Sequence, residues 1–170
     1  MKYLFKPRLG NLLGCLACTG MMIFALYSQH GLGLEPCPLC IFQRVAVVGL
    51  GALFLLAAIH SAGRVGRWIY AALLALVSLA GSAVSARHVW LQNLPPDQVP
   101  SCGLGLDFML DTFPFTEVLN MVLSGSGECA EVSWSLFGLS MPAWTLIALL
   151  GLGFFGVAVN LLASSKSPVS

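Results

Sequence analysis

Charge is scarce in this chain. Only 9% of its 170 residues are Asp, Glu, Lys or Arg, where a soluble domain carries roughly a quarter. That shortage excludes an ordinary water-soluble domain. The net charge of +1 says nothing about nucleic acid, but there is no basic cluster to neutralise phosphates, and no nucleic-acid partner is expected. Neither an internal repeat nor a low-complexity tract divides the chain, which reads as a single integral membrane domain over residues 1–170. A small-residue cleavage site after Ala25 is also lacking. The basic start and apolar stretch of Met1 to Tyr27 therefore read as an uncleaved first transmembrane helix rather than a signal peptide. Leu12-Leu13-Gly14-Cys15 looks like a lipoprotein cleavage box, but most of the apolar stretch follows Cys15 instead of preceding it.

What the chain has in place of charge is apolar length, with 58% of its residues hydrophobic. A helix needs about 20 residues to cross a hydrocarbon core. Segments 9–27, 41–59, 68–86 and 143–162 meet that length. Backbone groups in lipid must pair within the segment, so these are helices and not strands. The fold class is an all-α, four-transmembrane-helix bundle with two extracytoplasmic loops, 28–40 and 87–141. Orientation follows from the cations. Lys2, Lys6, Arg8, Arg64, Arg67 and Lys166 fall on one side, which the positive-inside rule makes cytoplasmic together with both termini. Glu35, Asp97, Asp107, Asp111, Glu117, Glu128 and Glu131 fall on the other side.

The outward-facing segments hold the chemistry. Cys37-Pro38-Leu39-Cys40 stands at the mouth of the second span, with Arg44 one helical turn beyond Cys40. Pro38 suits the first helical position. Cys40 then falls in the first turn, where the helix dipole and Arg44 both favour a thiolate. A thiol pair at this spacing can close into a small, exchangeable disulfide. Redox-capable thiols at a membrane edge suggest electron transfer between thiols and a lipid-dissolved acceptor. The alternatives are a structural disulfide or half of a metal site. Zinc would want a second closely spaced pair, and Cys102 and Cys129 are 27 residues apart. No metal is therefore expected. Cys102 and Cys129 themselves either exchange with the first pair or simply tie down the loop, a closure worth roughly 3–4 kcal/mol.

A second C-x-x-C, Cys15 and Cys18, reads as structural. Cys18 precedes Gln29 by 11 residues, which places it about 16 Å below the outer surface, out of reach of aqueous thiols. The long loop opens with Pro95-Pro96 and Pro100, which hold it extended. Phe115, Val118, Leu119 and Val122 recur at helical spacing and predict a short helix lying on the membrane surface. Ser124-Gly125-Ser126-Gly127 reads as a mobile hinge before Cys129. Arg44, Arg87 and His88 sit at the outer edge, where each can snorkel to headgroups. His88 can instead donate to a carbonyl oxygen at the rim of a ring-binding pocket, a role less suited to His30 and least to His60. The aromatics between Trp134 and Trp144 form an interfacial belt.

Pro36-Cys37-Pro38-Leu39-Cys40-Ile41-Phe42-Gln43-Arg44, Cys102, Glu128-Cys129-Ala130-Glu131 and Phe137-Gly138-Leu139-Ser140-Met141-Pro142-Ala143-Trp144 together resemble the bacterial disulfide bond formation protein B (DsbB) family. The likeness covers nearly the whole chain. It implies a quinone-dependent thiol oxidoreductase of the bacterial inner membrane. In that scheme a periplasmic thioredoxin-like oxidase of the DsbA type attacks a Cys102–Cys129 disulfide at Cys102. Cys129 then attacks Cys37, and Cys40, with Arg44 and His88 as cofactor-binding residues, passes two electrons to ubiquinone or menaquinone. The resemblance also carries a constraint. The family's soluble partner, not this chain, is poised near −120 mV, whereas structural disulfides lie below about −300 mV, a gap of about 8 kcal/mol for two electrons. The Cys102–Cys129 pair must then be unusually oxidising, or its reduction must be coupled to that of quinone. Gly103-Leu104-Gly105-Leu106 is a longer spacer than the family pattern and bears on partner choice, and Cys15/Cys18 lie outside that pattern. Two other readings are a vitamin K epoxide reductase-type oxidoreductase, which normally places its C-x-x-C late in the bundle, and a non-enzymatic scaffold with structural disulfides.

Overall fold

Proline marks the start of the first two spans. Helices α1 (Pro7–His30) and α2 (Pro38–His60) both begin on one, where its missing N–H removes no intrahelical bond. The computed structural model describes residues 7–60, 63–95, 97–98, 106–125, 127–132 and 134–162. After α3 (Arg64–Gln92) come three short helices, α4 (Leu106–Thr112), α5 (Phe115–Ser124) and α6 (Gly127–Ala130). A hairpin of β1 (Ser135–Leu136) and β2 (Leu139–Ser140) then leads into α7 (Met141–Leu162). Ser135 pairs with Ser140 and Leu136 with Leu139, antiparallel. The turn residues Phe137 (φ 53°) and Gly138 (φ 80°) both take positive φ, as a two-residue hairpin requires. Lys2, Lys6, Pro96, Pro100, Cys102, Gly103 to Gly105, Ser126 and Lys166 lie outside the described residues.

The four long helices are each apolar and long enough to cross a membrane. All four extend beyond the spans expected from hydropathy, α3 most of all. Its 29 residues reach about 44 Å at 1.5 Å per residue, well past a core about 30 Å thick. Hydropathy stops at Arg87, but nothing there breaks a helix. Asn93 closes it, its N–H donating to the Trp90 carbonyl at 3.1 Å. The final turns of α3 therefore project above the other helices and carry Arg87, His88 and Gln92 to the site.

The bundle is apolar on the outside and sparsely polar within. Leu16, Ile23, Leu76 and Phe154 point outward, while Asn11, Ser78, Ser85, Gln43, His88 and Asn160 are buried. That inversion suits a protein solvated by lipid, where small residues and interhelical hydrogen bonds hold helices together. Phe54 fills the centre. A Cβ at Gly14 of α1 would stand 2.7 Å from its ring, and one at Gly156 of α7 would stand 3.0 Å from it. Ser78 of α3 donates to the Leu149 carbonyl of α7 at 2.7 Å. Cys18 belongs to this central cluster with Val47, Leu50, Phe54, Leu74 and Leu149.

At the end of the bundle remote from Cys37, Asn11 of α1 and Asn160 of α7 exchange side-chain hydrogen bonds of 3.3 and 3.1 Å. Each amide also donates to a carbonyl of its own helix, Pro7 and Gly156 respectively, both at 2.8 Å. The pair sets the register of α1 on α7 across 149 residues of sequence. Replacing Asn11 by leucine strands the Asn160 amide in an apolar interface. The expected loss is about 1 kcal/mol, read as a lower thermal midpoint in detergent. The double substitution Asn11→Leu/Asn160→Leu should recover part of it, because no orphaned amide remains.

The short amphipathic helix expected from periodicity forms, as α5, and its Val118 and Val122 face the protein. Val118 and Val122 are buried with Leu39, Leu91, Met109, Cys37 and Cys129 in one cluster over the thiol end of the bundle. The side chains of Phe115 and Leu119 lie outside the description. Periodicity identifies an apolar face without naming what covers it, and here the projecting end of α3 competes with lipid and wins. The expected hinge is also pinned at its first residues. Gly125 takes φ 88° as the C-cap of α5, and its N–H donates to the Met121 carbonyl at 3.2 Å.

Candidate functional site

Cys37 stands immediately before the first helical residue of α2, in the N-cap position. Its sulfur accepts the backbone N–H of Cys40 at 3.4 Å, taking the part that a serine or aspartate oxygen usually plays. The two sulfurs are 3.2 Å apart, beyond the length of a disulfide bond, so the structure holds a dithiol. Cys37 is buried, whereas Cys40 is partly open. The spacing in sequence suggested Cys40 as the thiol served by the helix terminus; the structure gives a direct backbone donor to Cys37 as well.

His88 was expected at the rim. It is instead only 3% exposed, with Nε2 3.7 Å from Cys37 Sγ. Its other nitrogen, Nδ1, lies 3.1 Å from Gln43 Nε2. The two ends of the Gln43 amide can exchange places, its nitrogen donating or its oxygen accepting, so Gln43 can support either tautomer of His88. Gln43 was not singled out as a site residue from sequence, although it is a polar interruption in the first turn of the expected second span. That interruption was the available signal. Gln43 lies three residues beyond Cys40 and therefore on the same side of α2.

Arg44 makes two contacts that its position in the sequence does not specify. Its guanidinium donates to Gln29 Oε1 and, at 3.1 Å, to the Ala25 carbonyl. Its fork thus clamps α2 to α1 at the level of the dithiol, and any service to Cys40 is rendered from that fixed position. Cys129, in α6, is 1% exposed and shares a cluster with Cys37, and Gln92 Nε2 donates to the nearby Glu131 carbonyl at 3.5 Å. Cys15 and Cys18 are remote in the central cluster of the bundle.

A cavity of about 890 Å³, counted with its open mouth, lies among these groups. Met21 and Ala25 of α1, Cys40 and Arg44 of α2, His88 of α3 and Met141 of α7 help line it. Gln92 also lines it, and its Oε1 is a buried acceptor without a partner among the described residues.

Arg87 holds the loop to the bundle. Its Nε donates to the Leu123 carbonyl at 3.0 Å and its Nη2 to the Ser124 carbonyl at 3.2 Å, which caps the C-terminus of α5. The guanidinium also stacks 4.1 Å above the Trp90 ring. Arg87→Met should loosen α5 by about 1 kcal/mol. Amide exchange across 117–125 should quicken roughly fivefold, with α2 unaffected; unchanged exchange in α5 would rule out the clamp.

Four membrane-length helices bearing a dithiol at the N-terminus of one, beside an apolar cavity, define a multi-pass membrane protein built for thiol–disulfide chemistry. Comparison with known proteins is specific. The family model for "Disulfide bond formation protein DsbB" matches residues 7–159. The chain is 55% identical over 141 residues to Disulfide bond formation protein B of Nitrosococcus oceani, covering 83% of each chain. It is 56% identical over 141 residues to that of Chromohalobacter salexigens, covering 82% of each. With that of Stutzerimonas stutzeri it shares 46% identity over 156 residues, 92% of this chain and 93% of the relative. The chain belongs to the DsbB family and is a membrane disulfide-forming oxidoreductase.

Proposed function

We propose that this protein is a thiol:quinone oxidoreductase of the bacterial inner membrane, with its thiols facing the periplasm, that reoxidises a thioredoxin-like disulfide oxidase of the DsbA type. The observation that carries the reading is the position of the dithiol: Cys37, Cys40 and Arg44 line one open cavity, and Cys37 also shares a buried cluster with Cys129. One thiol pair can then serve two reactants from two sides. The reduced partner opens a Cys102–Cys129 disulfide by attack at Cys102. Cys129, freed as a thiolate, attacks the Cys37–Cys40 disulfide at Cys37 and releases Cys40 as a thiolate. The partner's second thiol expels Cys102 and closes the partner's own disulfide, and Cys102 then displaces Cys37 from Cys129, leaving the two electrons on Cys37 and Cys40.

Quinone is the electron acceptor in this scheme, taking two electrons and two protons as the Cys37–Cys40 disulfide re-forms. The residues present fit such a ring. The cavity offers apolar walls at Met21 and Met141, donor groups at Arg44 and His88, and an unpartnered acceptor at Gln92 Oε1 suited to a hydroxyl. Gln43 fixes the orientation of the His88 ring, with Nε2 facing the thiols. Arg44, fixed by Gln29 and Ala25, presents its remaining N–H groups without first having to be ordered.

The test is a reconstituted assay. Protein in lipid nanodiscs, a reduced thioredoxin-like oxidase and a soluble quinone should yield one hydroquinone per pair of partner thiols oxidised. Partner oxidation without hydroquinone, or hydroquinone without partner oxidation, would overturn the scheme.

A further inference from the structure

The dithiol is arranged for more than a disulfide. Cys37 Sγ, Cys40 Sγ and His88 Nε2 all lie within 4.8 Å of one another. The two sulfurs are 3.2 Å apart, and Cys37 Sγ is 3.7 Å from the imidazole nitrogen. Around a tetrahedral ion with metal–sulfur bonds of about 2.3 Å and a metal–nitrogen bond of about 2.0 Å, sulfurs stand roughly 3.8 Å apart and sulfur and nitrogen roughly 3.5 Å. To become a ligand set the sulfurs must part by about 0.6 Å, and Cys40 Sγ, within 4.8 Å of the imidazole nitrogen, must close on it by at most about 1.3 Å. The fourth position opens toward the cavity, where water or another oxygen donor completes the tetrahedron.

Two further observations favour an ion. Gln43 reaches His88 Nδ1 at 3.1 Å. A histidine that binds metal through Nε2 must carry its proton on Nδ1 and donate it to a second group. A half-turn of the Gln43 amide exchanges its nitrogen for its oxygen and supplies that acceptor, so this one residue supports both tautomers. Charge is the other. A divalent cation with two thiolates and a neutral imidazole is a neutral unit, which a buried apolar site accommodates without an unpaired charge.

We propose that the reduced Cys37–Cys40 pair and His88 form a redox-gated binding site for a borderline-soft divalent cation of the zinc and cadmium class. The proposal rests on the reading that this pair passes through the dithiol state in each turnover. Binding takes up one M²⁺ and releases two thiol protons, and no electron moves. The disulfide form has no thiolate to offer and binds nothing. A bound ion occupies both sulfurs and so halts the protein in its reduced state. The other described C-x-x-C, Cys15 and Cys18, is not part of any such histidine-containing group among the described residues.

The test needs neither quinone nor partner, so its failure is distinct from failure of the proposed activity. Full-length protein carrying Cys15→Ala, Cys18→Ala, Cys102→Ser and Cys129→Ser retains only the two thiols in question. Reduced with a phosphine and placed in nanodiscs, it is titrated with Cd²⁺ while the sulfur-to-cadmium charge-transfer absorption is followed against a competing chelator. One ion per chain is expected, with no band from the oxidised protein. His88→Phe and Gln43→Leu should each weaken binding by about tenfold or more. Zn²⁺ X-ray absorption on the same protein with His88 and Gln43 intact should show two sulfurs and one imidazole nitrogen. An oxidised protein that binds equally well, unchanged affinity in His88→Phe, or a shell without imidazole would each overturn the site.

Discussion

Serine at position 40 is expected to lower the rate of quinone reduction at least about 1,000-fold, the scale on which removal of an essential nucleophile acts. Both thiols of the pair line the cavity, but Cys40 is the partly open one, while Cys37 is buried and shares a cluster with Cys129. The proposed route therefore passes through Cys40 last, and a hydroxyl there can neither donate electrons nor close the disulfide. The first exchange with the partner involves only Cys102 and Cys129, so one equivalent of reduced partner should still be oxidised per chain before the protein stalls. Stopped-flow measurement of partner oxidation alongside hydroquinone absorbance separates the two events. Hydroquinone formation above a tenth of the normal rate would remove Cys40 from the role assigned to it.

Arg44→Met is expected to raise the quinone concentration at half-maximal rate by between about tenfold and 100-fold, while single-turnover exchange with the partner stays within about twofold. The guanidinium lines the cavity and is held by Gln29 Oε1 and the Ala25 carbonyl of α1. Hydrogen bonds to charged groups contribute about 1.5–3 kcal/mol each, and the methionine removes both of them together with the charge facing the ring. Loss of the α1–α2 clamp should also lower the thermal midpoint by several degrees. Arg44→Lys separates the two effects. A lysine keeps the charge but cannot span the glutamine oxygen and the backbone carbonyl with a planar fork. It should recover little of the quinone effect if orientation matters, and most of it if charge alone suffices.

These predictions draw on features of unequal visibility in sequence. The dithiol needed no tertiary information, because Pro38 at the first helical position and Cys40 in the first turn are local consequences of backbone geometry. His88 was legible as a polar residue near the outer end of a span, but its burial was not. Apolar length measures the hydrocarbon and not the helix, so α3 was expected to stop at residue 86 when it continues to Gln92. Its extra turns bring His88 to Cys37 and provide the apolar surface that α5 covers. Arg44 was placed correctly near the dithiol, yet its partners lie 15 and 19 residues earlier, on a helix whose rotation no single-segment pattern specifies.

The sequence alone determined that this is a four-helix membrane protein with a thiol pair at the mouth of its second span. Those conclusions rest on chain-local quantities, namely the length of apolar runs, the shortage of charge and the position of a proline. Tertiary structure alone decided which groups meet. Gln43 and His88 are 45 residues apart and Cys37 and His88 are 51 apart, while the Asn11–Asn160 lock spans 149. A period of 3.6 residues tells which side chains share a face but not which neighbour that face will find. Mutual packing of helices around Phe54 settles that choice, and with it the chemistry open to Cys37 and Cys40.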